Sequence, residues 1–289
     1  MTPARRVVDA HTHAFSPDVL KGRDRIVQSD HWFGLLYGNP KARAVSAGDV
    51  LDAARAAGVD RSILCGFPWS DEGRCRAENE WMAEATFGHP ELDWLGIVVP
   101  GDSSAANDAA WCLEHGACGI GELNADGQGV SLLAAEVWTP LIEVARSHNR
   151  PLMLHASEAP GHRYPGKGTA TPEKWVEWLG SAQDIDVILA HWGGGLPFYE
   201  LMPEVHNLTR RVFYDSAATT YLYDFQVFPR VIDLVGADRV LFGTDFPLLK
   251  QGRFIQRSEA SLRGSNEVRA VMAGNADRLY RSSMEGSNL

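Results

Sequence analysis

Val7-Val8-Asp9-Ala10-His11-Thr12-His13 is a short apolar run that ends on two imidazoles. The pattern returns along the chain. Pro151-Leu152-Met153-Leu154 runs into His155, Val187-Ile188-Leu189-Ala190 into His191, and Val240-Leu241-Phe242-Gly243-Thr244 into Asp245. Gly119-Ile120-Gly121 ends on Glu122 in the same way. Short runs rich in Val, Ile and Leu read as parallel strands covered on both faces. Strands that each deliver a polar, metal-type side chain at the C-terminal end describe the mouth of a closed barrel.

Eight runs fit this reading, at 7–13, 62–67, 94–99, 119–123, 152–155, 187–191, 212–215 and 240–243. Amphipathic helical patterns fill most of the gaps, at 47–57, 76–87, 105–115, 135–147, 172–179, 196–207, 226–235 and 254–262. Ser46 precedes the first of these helices and Gly58 follows it, as an N-cap and a C-cap would. Eight strand–helix units in 289 residues predict a (β/α)8 TIM barrel, with residues 1–289 forming one domain. An open doubly wound sheet uses one crevice and does not account for metal-type residues after five different strands. Two connections are long, 15–45 after strand 1 and 157–171 after strand 5. Loops of that length in a compact domain are usually functional, and both would sit on the catalytic face. The first contains Asp30-His31-Trp32-Phe33-Gly34-Leu35-Leu36-Tyr37-Gly38. That segment is too apolar for an idle surface, and reads as a lid or as a contact in a homodimer.

Composition is ordinary for a globular protein, with 45% hydrophobic and 22% charged residues, so a large core is available. The net charge of -10 argues against nucleic acid or an anionic membrane as the main partner and leaves a small-molecule substrate. Four scattered cysteines form no C-x-x-C pair and read as reduced thiols. With no targeting or membrane-spanning pattern, the expectation is a cytoplasmic protein.

His11 and His13 lie two apart in an extended strand, point the same way and can grip one ion. Asp9, two residues earlier, is expected to orient a ligand histidine. His155 or His191 alone reads equally as a core histidine, and Asp245 alone as a helix cap. Glu122 alone reads equally as a buried ion-pair partner. Together these residues form a ring of imidazoles and carboxylates suited to a divalent ion, with zinc the expected metal. If Glu122 is a ligand, its two oxygens can bridge two ions, with His11, His13 and Asp245 on one and His155 and His191 on the other. Trp69, Asn124, His162, Arg163 and Trp192 follow strands or lie on the strand 5 loop and are candidate substrate contacts.

The whole chain resembles the amidohydrolase superfamily, and within it the amidohydrolase-related branch that includes aminocarboxymuconate-semialdehyde decarboxylase. The resemblance rests on Asp9-Ala10-His11-Thr12-His13, His155, His191-Trp192-Gly193-Gly194, Gly243-Thr244-Asp245-Phe246-Pro247 and Asn275-Ala276-Asp277-Arg278-Leu279, in that order. It implies a TIM barrel with a divalent metal held by His11, His13, His155 and Asp245. It makes His191 either a second-metal ligand or a catalytic base. The branch tends to lack a ligand on strand 4, whereas Gly119-Ile120-Gly121-Glu122 looks like hydrolases in which this Glu bridges two metals. The expectation is therefore a hydrolase that uses a metal-activated water on an ester, lactone, amide or phosphoester. Asp245 moves the proton, and His191 holds the second ion or orients the substrate. The alternative is a one-metal, non-oxidative decarboxylase in which His191 protonates the carbon that loses its carboxylate.

Overall fold

The computed structural model describes residues 5–280. Eight strands follow one another in chain order: β1 (Val8–Thr12), β2 (Arg61–Leu64), β3 (Leu92–Trp94), β4 (Ile120–Leu123), β5 (Leu152–Leu154), β6 (Val187–Leu189), β7 (Val212–Asp215) and β8 (Val240–Leu241). Each pairs in parallel with its neighbour, in one group of three strands and one of five. Two bridges close the ring, Thr12 to Phe246 and Gly96 to Ile120. The result is a (β/α)8 barrel wrapped by helices.

The ladders are shorter than the apolar runs. The third strand is the clearest difference: it was expected at 94–99 and is found at Leu92–Trp94. Its pairing with β2 ends at Trp94, and the chain then crosses through Gly96 to meet β4. Apolar residues continue past the ladder because Leu95, Ile97 and Val98 remain buried. Hydrophobicity records burial, and burial outlasts strand pairing here.

Two apolar layers result. Val8, Ala10, Ile63, Cys65, Leu95, Met153, Ile188 and Leu241 fill the barrel, and Ala276, Leu279 and Tyr280 pack into the same cluster from the closing helix. The larger layer lies between the strands and the surrounding helices. All four cysteines are buried and unpaired. No helix among the described residues is long and apolar enough to cross a membrane.

The connection after β1 is not a loop. It folds into α1 (Pro17–Ser29) and α2 (His31–Tyr37). Ser16 caps α1 by accepting from Val19 N, and Asp30 caps α2 by accepting from Phe33 N at 2.8 Å. The second oxygen of Asp30 accepts from both the amide and the hydroxyl of Ser70, at 3.2 and 3.0 Å. One buried carboxylate thus caps α2 and ties it to the connection after β2. Phe15, Phe33, Phe67 and Trp69 pack edge and face beneath α2, with ring centroids 4.5–6.1 Å apart. The helix therefore has its own apolar anchor over the barrel mouth.

Candidate active site

The strand ends bring six side chains to one point. His11 Nε2 and His13 Nε2 lie 3.0 Å apart. Asp245 Oδ1 is 3.5 Å from His13 Nε2 and 3.9 Å from His11 Nε2. Glu122 stands between two pairs of imidazoles. Its Oε2 is 3.4 Å from His11 Nε2 and 3.6 Å from His13 Nε2, and its Oε1 is 2.9 Å from His155 Nδ1 and 3.3 Å from His191 Nε2. The six divide into two metal-competent groups, His11–His13–Asp245 and Glu122–His155–His191.

The backbone is bent to achieve this. The β1–β2 register slips between Asp9 and Thr12, so the His-x-His pair leaves the regular ladder. Gly121 has φ +147°, and a Cβ there would lie 2.4 Å from the carbonyl oxygen of Met153, so only glycine lets β4 approach β5 this closely before Glu122. His191, Trp192 and Asp245 all have positive φ, near 60°. Non-glycine residues in that region are strained, and such strain concentrates at functional sites.

The far nitrogen of every imidazole has an acceptor. His11 Nδ1 donates to Asp215 Oδ2 at 2.8 Å, His13 Nδ1 to the Cys65 carbonyl at 3.2 Å, His191 Nδ1 to the Ala217 carbonyl at 3.4 Å, and His155 Nε2 to the Gly166 carbonyl at 3.1 Å. For His11, His13 and His155 that leaves the near nitrogens as converging lone pairs, as in metal-binding histidines, whereas His191 Nε2 faces Glu122 Oε1 at 3.3 Å, where it can carry a proton. Lone pairs and carboxylate oxygens 3–4 Å apart repel unless a cation sits among them, so the donor set fits a divalent ion.

Burial disfavours the charged form of Glu122, yet His11 and His155 outweigh it and hold its carboxyl well below the usual carboxylate range. Burial also disfavours the His191 cation, but the hydrogen bond and charge of Glu122 raise its pKa to about 9. His13 moves the other way, because burial and the neighbouring His11 both lower it.

Above the cluster opens a cavity of about 360 Å³. Trp32, Leu36 and Tyr37 of α2 form one wall, so the apolar segment after β1 faces the site. Arg43, Phe67, Asn124, His162, Tyr164 and Tyr221 also line it. Asn124 is 1% exposed, and its Nδ2 has no partner among the described residues. The other expected contacts lie elsewhere. Trp69 is buried in the aromatic packing beneath α2, and Arg163 is exposed and outside the cavity lining. Trp192 is buried, with its indole N–H donating to Thr219 Oγ1 at 2.9 Å. Asp9 meets no histidine ring; it accepts from Thr244 N, Thr244 Oγ1 and Gln251 Nε2. The carboxylate that orients a ligand is Asp215, which sequence reasoning missed. It ends the strand-like run at 212–215, as Glu122 and Asp245 follow theirs, and that was the available signal.

A family model described as Amidohydrolase (Amidohydro_2) matches residues 8–282. The chain belongs to this amidohydrolase family. No match is found among curated proteins. Solved structures with the amidohydrolase fold superpose over nearly the whole chain. The 5-carboxyvanillate decarboxylase of Sphingomonas paucimobilis is 17% identical with a TM-score of 0.77, covering 96% of this chain and 100% of that one. The 5-carboxyvanillate decarboxylase of Novosphingobium aromaticivorans, complexed with manganese and 4-hydroxy-3-methoxy-5-nitrobenzoic acid, is 17% identical with a TM-score of 0.76, covering 96% of each chain. The 2,6-dihydroxybenzoate decarboxylase from Rhizobium is 18% identical with a TM-score of 0.70, covering 96% of this chain and 98% of that one. At such identity the likeness shows a shared fold.

These structures correct two expectations. Hydrolysis of an ester, lactone, amide or phosphoester finds no support among them, because the three structures named are decarboxylases. The Gly-x-Gly-Glu motif could not decide the reaction, since one barrel and one set of strand-end ligands serve both chemistries. Zinc gives way as well: the ion in the Novosphingobium structure is manganese, which mixed imidazole and carboxylate oxygen ligands also suit.

Proposed function

We propose that this amidohydrolase-family chain is a metal-dependent, non-oxidative decarboxylase of a small aromatic carboxylic acid. The observation that carries the reading is the cavity. Its walls are aromatic, its floor is the ring of imidazoles and carboxylates, and it contains one arginine and one unpaired amide donor. Aromatic walls suit a ring, and Arg43 and Asn124 suit its anionic and oxygen substituents.

His11, His13 and Asp245 would hold the ion, with His155 completing the set from the other side of Glu122. When bound, the divalent cation supplies positive charge that orients the acid's oxygens and stabilises the charge left on the ring. The protein's part is proton delivery. As the bond between ring carbon and carboxylate breaks, its electron pair stays on the ring and carbon dioxide leaves. His191, kept protonated by Glu122, gives its Nε2 proton to that carbon and regains one from solvent. Tyr37, Trp32 and Tyr164 exclude water from the ring.

The manganese-loaded protein should release labelled carbon dioxide from a panel of carboxyl-labelled acids that includes 2,6-dihydroxybenzoate and 5-carboxyvanillate. No release from any hydroxylated benzoate in the panel would sink this function.

A further inference from the structure

The connection after β5 serves two purposes. Tyr164, Pro165 and Gly166 line the cavity, and the carbonyl of Gly166 accepts the Nε2–H of His155 at 3.1 Å. Among the four imidazoles of the centre, His155 alone has its far nitrogen held by a long connection. The others use Asp215, the end of β2 or the turn after β7. A carbonyl only accepts, so this contact places the hydrogen on Nε2 and leaves Nδ1 facing Glu122.

Something must hold that carbonyl in place. Gly166 has φ +92°, and a Cβ there would come within 2.9 Å of Leu36 Cδ2, so the backbone turns tightly beneath α2. Two residues on, Gly168 N donates to Ser157 Oγ at 2.9 Å. Next, both the amide and the hydroxyl of Thr169 donate to Asp126, at 2.6 and 2.9 Å. Asp126 lies on the connection after β4, four residues past Glu122. The clamp thus runs from the strand that carries Glu122 to the loop that orients His155.

We propose that Asp126 is a positioning residue for His155. By holding Thr169 it keeps the β5 connection folded back, so that Gly166 fixes the His155 ring with Nδ1 toward the metal centre. Metal occupancy and the order of segment 158–169 then form one equilibrium, and the wall of the substrate cavity is set when the ion binds. This inference rests on the metal reading of the site and is independent of decarboxylation.

The test uses the full chain and Mn2+. Asp126→Ala should lower Mn2+ affinity, measured by chelator competition, about 10–100-fold, the range for residues that orient metal ligands. Asp126→Asn, which keeps one acceptor for Thr169, should restore most of it. Arg163→Ala, on the same loop but outside the clamp, should leave affinity unchanged. Hydrogen exchange across 158–169 should slow when the wild-type chain takes up Mn2+, and slow far less in Asp126→Ala. Wild-type affinity in Asp126→Ala overturns the proposal, as does exchange in the wild type that ignores the metal. A wild-type chain that takes up no divalent ion overturns the metal reading with it, whereas absence of carbon dioxide release leaves the result of this test standing.

Discussion

Asp215 Oδ2 lies 2.8 Å from Nδ1 of His11, across 204 residues of sequence, and both side chains are 0% exposed. The other oxygen of Asp215 accepts from the amides of His191 and Ala217, at 2.8 and 3.0 Å. One carboxylate therefore orients the His11 ring and shapes the strained turn that carries His191. Burial opposes its charge, but His11 holds its carboxyl below the usual range. Asp215→Ala should weaken Mn2+ binding about 10–100-fold. It should also destabilise the metal-free protein by roughly 1–3 kcal/mol for each buried donor left without an acceptor. Chelator competition and urea titration measure the two effects, and wild-type metal affinity in the variant would refute the orienting role.

Metal content separates the two halves of the centre. The chain should carry one Mn2+, lose carbon dioxide release on treatment with a chelator, and regain it on adding Mn2+. An ion bound only by the folded state at 100 times its dissociation constant adds about 2.7 kcal/mol of stability, so the unfolding temperature should rise with Mn2+. Two ions per chain by elemental analysis would make His191 a ligand and remove it as the proton donor.

Much of this was legible in the sequence, for a definable reason. The barrel shows as eight apolar runs, and the ring as polar residues placed where those runs stop. Asp215 went unnoticed because it faces a histidine, and nothing in Val212-Phe213-Tyr214-Asp215 names that partner. The α1–α2 excursion reads as a loop from its length alone, although Ser16-Pro17 and Asp30 are readable helix starts. The choice of reaction was not legible, since Glu122 fits a bridge between ions and an anchor for a protonated His191 equally well.

His191 carries the proton in the proposed reaction, so His191→Asn should lower kcat about 10²–10⁴-fold, the usual worth of a positioned acid. Mn2+ affinity should stay near wild type, because His191 is not among the residues that would hold the ion. Solvent deuterium incorporation at the product carbon should slow in parallel. A variant that keeps wild-type turnover would end the assignment.

The same histidine sets a pH window for stability. Its folded pKa, about 9, lies above the ordinary 6.5, with Glu122 overcoming burial. The stabilisation is therefore fully present below pH 6.5 and is lost as pH rises through about 9. At about 1.4 kcal/mol per pH unit it is on the order of 3 kcal/mol. The urea midpoint of the metal-free protein should fall across that window. Glu122→Gln removes the source of the shift and should flatten the curve, and a wild-type midpoint constant from pH 6.5 to 9 would contradict it.

Arg43 is the last piece of the cavity to test. Its guanidinium lies 5.8 Å over the Phe246 ring and makes no ion pair or hydrogen bond among the described residues. Its charge reaches Asp49, whose carboxyl is lowered chiefly by Ser46, but no carboxylate bonds the guanidinium, which leaves it available to an anionic group of the substrate. A hydrogen bond to a charged group is worth about 1.5–3 kcal/mol, so Arg43→Ala should raise KM roughly 10–150-fold while kcat changes little. Lysine keeps the charge but loses the paired N–H fork and the flat face on Phe246, so Arg43→Lys should recover only part of the loss. Full recovery by lysine would mean that charge alone matters, and an unchanged KM in Arg43→Ala would place the substrate's anion elsewhere, leaving Asn124 Nδ2 as the next donor to remove.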